Sequence, residues 1–427
     1  VGGIAENLSV VTDFHDGWET PRHGFIYGGV DTSIVEGDKF DWSIDSMIDD
    51  GVNLTFSWTA SYNGVGVDPC NDTVGVGAPT FHLGDGGLRT YRSYAQGEDF
   101  IMGTSTSGAG QPSRANPTAD NTTCAGNVAT TVIPVEAVDA ERGRIALGGK
   151  PLVVSVADPA LTMEARVPSP TFDWLVGIGG PAQERRAIVE TAKCVGCHVG
   201  SLYQHGGDRV DNVDYCLVCH NAAANEQYRR VAMGVDESEA YDGRTGETFE
   251  MRTMIHRIHA VNHDWDPDPD VERYNPPSLV YRGRGIYAFS NDVADVPNWD
   301  VISTEGCTDG EIADGERLVF GGDPESSSSC QPHNFHSATY PRSLNECTAC
   351  HTEDFMVIPD QTKSMAATTD AGSEVWEDQL DDTLQGAATT ACITCHADGA
   401  SKGHAYQNSW APQVFPEGRQ TIIDAVN

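Results

Sequence analysis

The chain is poor in positive charge. Lys and Arg number 26 against 63 Asp and Glu, for a formal net charge of -37. Such a surface repels phosphates, which excludes nucleic acid as a partner and argues against adhesion to anionic lipid. The acidity serves either solubility in a salty medium or the attraction of cations, metals included. No apolar run approaches the roughly 18 residues of a membrane span, so no span is expected. No signal peptide heads the sequence, and Val1 reads as a mature N-terminus. No cysteine precedes Cys70, so no N-terminal lipid anchor is expected.

Cysteine and histidine are not scarce: there are 12 and 14 of them. Eight of the cysteines fall in four copies of C-x-x-C-H. These are Cys194-Val-Gly-Cys197-His198, Cys216-Leu-Val-Cys219-His220, Cys347-Thr-Ala-Cys350-His351 and Cys392-Ile-Thr-Cys395-His396. This spacing is the mark of covalent c-type haem attachment. Two thiols add across the two vinyl groups, and the next residue, a histidine, is held beneath the porphyrin as proximal iron ligand. One copy fits a redox dithiol or half a zinc site as well; four copies do not. The expected cofactors are four haem c. The remaining cysteines, Cys70, Cys124, Cys307 and Cys330, suit two disulfides, Cys70 with Cys124 and Cys307 with Cys330, and an oxidising compartment. Export through the periplasm follows from both signals.

Four proximal histidines leave ten others as candidates for the second axial position. Bis-His ligation closes the iron and gives low potential, whereas Met raises it; Met233, Met251 and Met254 are the rivals. His256 and His259 stand three apart on an expected helix from Glu247 to Ala260, so they share a face and suit two haems. His205 and His404 each follow a proximal histidine closely, in or near a Gly-bearing turn. His263, His333 and His336 read equally as ligands or as surface residues. His15 and His23 lie far from every motif, and either can supply a ligand to a neighbouring subunit or simply sit exposed.

The expected fold class has two parts. Residues 1–185 read as an all-β domain, a Greek-key sandwich or split barrel. Val52–Trp58, Ala129–Val135 and Ile145–Ala165 carry β-formers and alternation between turn-rich clusters. Residues 186–427 read as a tetrahaem c-type cytochrome domain with little regular secondary structure and a few short helices, because haems replace side chains as the core. Glu184–Lys193 reads as a short helix leading into the first motif. Residues 264–335 read as a long loop clipped by Cys307 and Cys330.

Five stretches carry a resemblance. Arg186 to His198, His205-Gly-Gly-Asp-Arg209 and Cys216 to Asn221 resemble the outer-membrane multihaem cytochromes of the OmcA/MtrC type. So do Met254-Ile-His-Arg-Ile-His259 and Tyr340 to Cys347. The resemblance covers about residues 180–400. It implies a split-barrel Greek-key domain ahead of a haem domain, and His205, His256 and His259 as distal ligands. It also implies electron transfer at the cell surface to outer-membrane cytochromes, ferric oxides or flavins. The chain departs from that family in having one β-domain and one haem domain, no fifth C-x-x-C-H and no lipid-anchor cysteine. In haem number and location it also resembles subunits of extracellular cytochrome filaments, which implies itself as a head-to-tail partner. The expected function is therefore extracellular electron transfer without substrate chemistry. The alternatives are a multihaem reductase of the nitrite or hydroxylamine type, which needs an open iron position, and a soluble periplasmic shuttle.

Overall fold

The computed structural model describes residues 24–27, 30–83, 87–96, 99–105, 110–155, 158–198, 202–204, 208–228, 246, 248–260, 279–282, 285–288, 342–352, 366–370, 383–393, 400 and 412–414. The chain divides into two compact units. The first comprises Val1–Thr104, Pro112–Val218 and Thr348–Met356; the second comprises Ser105–Gln111, Cys219–Cys347 and Val357–Asn427.

The first unit opens with a two-stranded ribbon, β1 (Ile26–Tyr27) and β2 (Val30–Asp31), and a short helix α1 (Thr32–Gly37). Asp31 caps that helix by accepting the Ser33 N–H at 2.9 Å. Two antiparallel sheets follow. One is ordered β3-β4-β10-β9, from Phe40–Asp49, Asn53–Tyr62, Val128–Pro134 and Thr122–Ala125, with β5 (Val65–Gly66) beside β4. The other is ordered β14-β11-β6-β7, from Thr171–Leu175, Arg142–Gly149, Leu88–Gln96 and Asp99–Met102, with β8 (Ser113–Arg114) beside β6. A small ribbon, β12 (Leu152–Val154) with β13 (Thr162–Glu164), forms a two-stranded sheet of its own.

Alternation explains why these strands form. Along β4, Leu54, Phe56, Trp58, Ala60 and Tyr62 are buried while the residues between them are not. They share one core with Leu88 and Tyr94 of β6, Ile145 and Leu147 of β11 and Trp174 of β14. Trp42 stacks on Phe81 with centroids 5.4 Å apart, and Trp58 meets Phe81 edge-on at 5.5 Å. Each fully buried aromatic of this kind stabilises the fold by about 1.5–3 kcal/mol. The expected β segments at Val52–Trp58, Ala129–Val135 and Ile145–Ala165 thus appear as β4, β10 and β11 to β13. Cys70 and Cys124 form a disulfide, as expected. Cys307 and Cys330 lie outside the described residues.

Two expectations need correction. The helix expected over Glu184–Lys193 is confined to α2, Thr191–Val195. Residues 187–190 are instead non-helical, because their backbone pairs with residues 350–352. That competition outweighs local helix propensity. Within the expected loop 264–335, β17 (Leu279–Arg282) and β18 (Gly285–Ala288) form a hairpin. Both segments carry β-branched or aromatic residues, which favour strand over irregular loop.

The remaining described elements are short. They are β15 (Tyr203–Gln204), β16 (Arg209–Val210), α3 (Val213–Cys219), α4 (Met251–Ala260), a three-stranded sheet of β19 (Ala367–Asp370), β20 (Thr383–Gln385) and β21 (Pro412–Val414), and α5 (Ala387–Ile393). Among the described residues, no helix is long and apolar enough to cross a membrane.

Candidate functional site

The first C-x-x-C-H begins on α2. Its turn is closed by the Cys197 and His198 N–H groups, both donating to the Cys194 carbonyl at 3.0 and 2.9 Å. Two cysteines three apart on such a turn face the same way, as addition to one porphyrin edge requires. Burial, and then the neighbouring Cys350 thiol, push the Cys194 thiol above its ordinary value. His198 is exposed.

The second motif uses α3. Asn212 caps this helix, accepting the Tyr215 N–H at 3.2 Å. Cys216 and Cys219 fall on one helical face. His220 follows directly and is buried. Its Nδ1 lies 2.8 Å from the Phe249 carbonyl, and its own carbonyl accepts the Met251 N–H at 3.0 Å.

The third motif is a 3-10 turn at Cys347–Ala349. It is laced to the segment before α2. The Ile188 carbonyl faces His351 Nδ1 at 3.2 Å, Glu190 N–H donates to the Cys350 carbonyl at 3.2 Å, and Lys193 Nζ donates to the His351 carbonyl at 2.7 Å. Burial keeps His351 below the ordinary imidazole range. The ring therefore stays neutral at neutral pH, the form a metal can use. The fourth motif begins on α5 with Cys392, whose thiol is raised by burial and then by the Cys347 thiol. Cys395 and His396 lie outside the described residues.

Helix α4 carries His256 and His259, both half-buried. His259 Nδ1 lies 2.8 Å from the Ile255 carbonyl one turn back. The helix starts at Met251, four residues later than its sequence pattern predicts. Thr248 is engaged by a bridge to Asn225, and Glu250 takes the capping position. Glu250 accepts the Thr253 N–H at 2.8 Å, the Thr253 hydroxyl at 2.8 Å and Arg252 Nε at 2.7 Å. Burial alone would raise this carboxyl. The Arg252 charge and these three hydrogen bonds more than offset it, so its value lies below the ordinary 4.5. The ionised cap therefore stabilises the fold above that ordinary value and is lost as pH falls through the depressed one. Glu250→Gln is expected to cost about 1 kcal/mol at pH 7. Melting curves of the variant and the native chain should converge as the pH is lowered; a constant gap would contradict the cap.

The other distal candidates, His205, His404, His263, His333, His336, His15 and His23, lie outside the described residues. The structure adds what residue types could not reveal. Three histidines present Nδ1 to a backbone carbonyl, those of Ile188, Phe249 and Ile255, which favours the tautomer with its lone pair on Nε2. Carbonyl positions are invisible in a sequence. Among the described cysteines of the four motifs, Cys194, Cys197, Cys216, Cys219, Cys347, Cys350 and Cys392 form no disulfide. In the first three motifs, thiol pairs on single turns, each with a histidine behind, fit covalent haem.

Comparison with known proteins agrees in kind. Residues 186–421 match the family of outer membrane cytochromes described as MtrC/MtrF-like, domains II/IV. No curated protein matches the chain. Solved structures similar to it include the outer membrane decaheme cytochrome OmcA, at 14% identity and a TM-score of 0.39, covering 84% of this chain and 43% of that one. MtrC from Shewanella baltica OS185 is similar at 14% identity and a TM-score of 0.40, covering 86% and 47%. The chain thus spans less than half the length of either.

Proposed function

Because the chain belongs to the MtrC/MtrF-like family of outer membrane cytochromes, we propose that it carries four haem c and passes single electrons at the cell surface to extracellular acceptors. Haem c, when bound, supplies reversible one-electron chemistry. The chain's residues set its attachment, its axial ligands and its exclusion from water. Cys194, Cys197, Cys216, Cys219, Cys347, Cys350, Cys392 and Cys395 are the attachment residues. His198, His220, His351 and His396 are the proximal ligands, and His205, His256, His259 and His404 are the first candidates for the distal positions.

The observation that carries this reading is the mutual proximity of the attachment segments. The Val213 N–H that opens α3 donates to Thr191 Oγ1 that opens α2, at 3.2 Å. The third motif is hydrogen-bonded to the lead-in of the first. The Cys392 thiol of the fourth senses that of Cys347 in the third. A substrate enzyme needs one open site; a relay needs several attachment points near one another. Outer-membrane cytochromes, ferric oxides and flavins are the corresponding partners.

Haem quantitation and carbon monoxide binding test the proposal. Four haems per chain with no rapid binding of carbon monoxide to the reduced protein are expected. Rapid binding at one haem would replace this reading with the reductase. Assembly of copies into a head-to-tail filament extends the same relay, since a heterologous contact that does not close grows as a helix. Spare histidines such as His15 and His23 suit ligation across such a contact. Sedimentation as a monomer at high concentration would remove that extension, leaving a surface conductor or a shuttle.

A further inference from the structure

Strand β11 is buried along its whole length. A strand of two facing sheets buries one face and turns the other outward, so its second face must be covered by something else. Ile145 and Leu147 belong to the common core. Arg144, Ala146 and Gly148 alternate with them, and α3 covers that side. Ala146 packs with Tyr215 and Val218, and Tyr91 of β6 meets Tyr215 edge-on with centroids 6.2 Å apart. At Gly148 a Cβ would collide with the Asp208 carbonyl and lie 2.6 Å from Tyr215 Oη. The helix therefore sits against the sheet backbone itself.

Arg144 joins the two. Its side chain is 3% exposed. Nε and Nη2 donate to the two oxygens of Asp173 on β14 at 2.6 and 2.9 Å, and Nη1 donates to Asp214 Oδ1 in the first turn of α3 at 2.6 Å. Asn212 adds a second tie, its Nδ2 donating to the Ser169 carbonyl at 2.7 Å. An arginine on the outer face of a sheet can extend into water at little cost. Holding it desolvated between two carboxylates is poor evidence of added stability, but the rigid fork fixes a geometry. Two ties two residues apart fix both the height and the rotation of α3. Rotation decides where Cys216 and Cys219 point.

We propose that Arg144 is a positioning residue for the redox centre attached at Cys216 and Cys219, coupling the β-sheets to the orientation of α3. This rests on the reading of Cys216–His220 as a haem site, and the experiment separates the two. The full haem-loaded chain is compared with Arg144→Met, Arg144→Lys and Asp214→Asn. Mass spectrometry of haem peptides comes first: a native chain without haem on Cys216 and Cys219 sinks the underlying reading. With haem present there, Arg144→Met should keep four haems and the β-sheet circular dichroism. It should shift the paramagnetic resonance signal and midpoint potential of one haem, the one whose signal is altered by His220→Met. Asp214→Asn should shift the same signal, and Arg144→Lys should restore it in part. A folded Arg144→Met with four native signals, or with all four moved alike, overturns the proposal. Should Arg144→Met fail to fold, Asp214→Asn decides by the same readout, because that carboxylate is 51% exposed at its outer side; an unmoved signal there overturns it equally.

Discussion

Alanine at His259 is expected to leave one haem five-coordinate and high-spin, and alanine at His256 to do the same to a different haem. Both residues lie on α4 and are half-buried. Three residues along a helix place side chains on a common face about 4.5 Å apart in height. An iron that already holds its proximal histidine has one axial position left, so two histidines at different heights serve two irons. The Ile255 carbonyl holds the His259 ring by its Nδ1. Resonance Raman spectra of the oxidised variants read the result directly. Each single variant should lose one low-spin haem, and the double variant two. If both single variants perturb the same haem, or neither perturbs any, α4 is not the distal-ligand helix.

The second large effect belongs to the β-sheets. Cys70 and Cys124 close a loop of 54 residues. Chain-entropy arguments put such a bridge at about 4 kcal/mol, and in a unit of this size that lowers the melting temperature by roughly 10 °C. The Cys70→Ser, Cys124→Ser double variant should show this loss by calorimetry. Haem thioethers survive the substitution, so the haem content should stay constant. An unchanged melting temperature would mean that the β-sheets hold the Cys70 loop and β9 together without the bridge.

What could be read from the sequence follows a physical divide. The proposed covalent attachment demands the spacing of Cys194, Cys197 and His198, so the motif stands out in five residues. Period-two alternation in β4 and β10 is likewise local and strong. By contrast, residues 187–190 carry a helical pattern, yet their backbone groups bind residues 350–352. No local rule weighs a partner more than 150 residues away. Arg144 illustrates the same limit. In the sequence it is one arginine between glycine and isoleucine; its meaning depends on Asp173 and Asp214, which only the folded sheet brings to it. Met251 as the first residue of α4 was hidden for a milder reason: Glu250 has ordinary helix propensity, and only its side-chain bonds mark it as a cap.

The lacing of Ile188 to His351 spans 163 positions, and this gives the chain a timetable. Hairpins such as β3–β4 close over a few residues and form in microseconds. Contacts between distant segments wait, because the ends of a long loop must first find each other. During secretion the β-sheets have all their partners in hand long before residues 350–352 emerge. The pairing of residues 187–190 with residues 350–352 is therefore among the last contacts that the first unit can make.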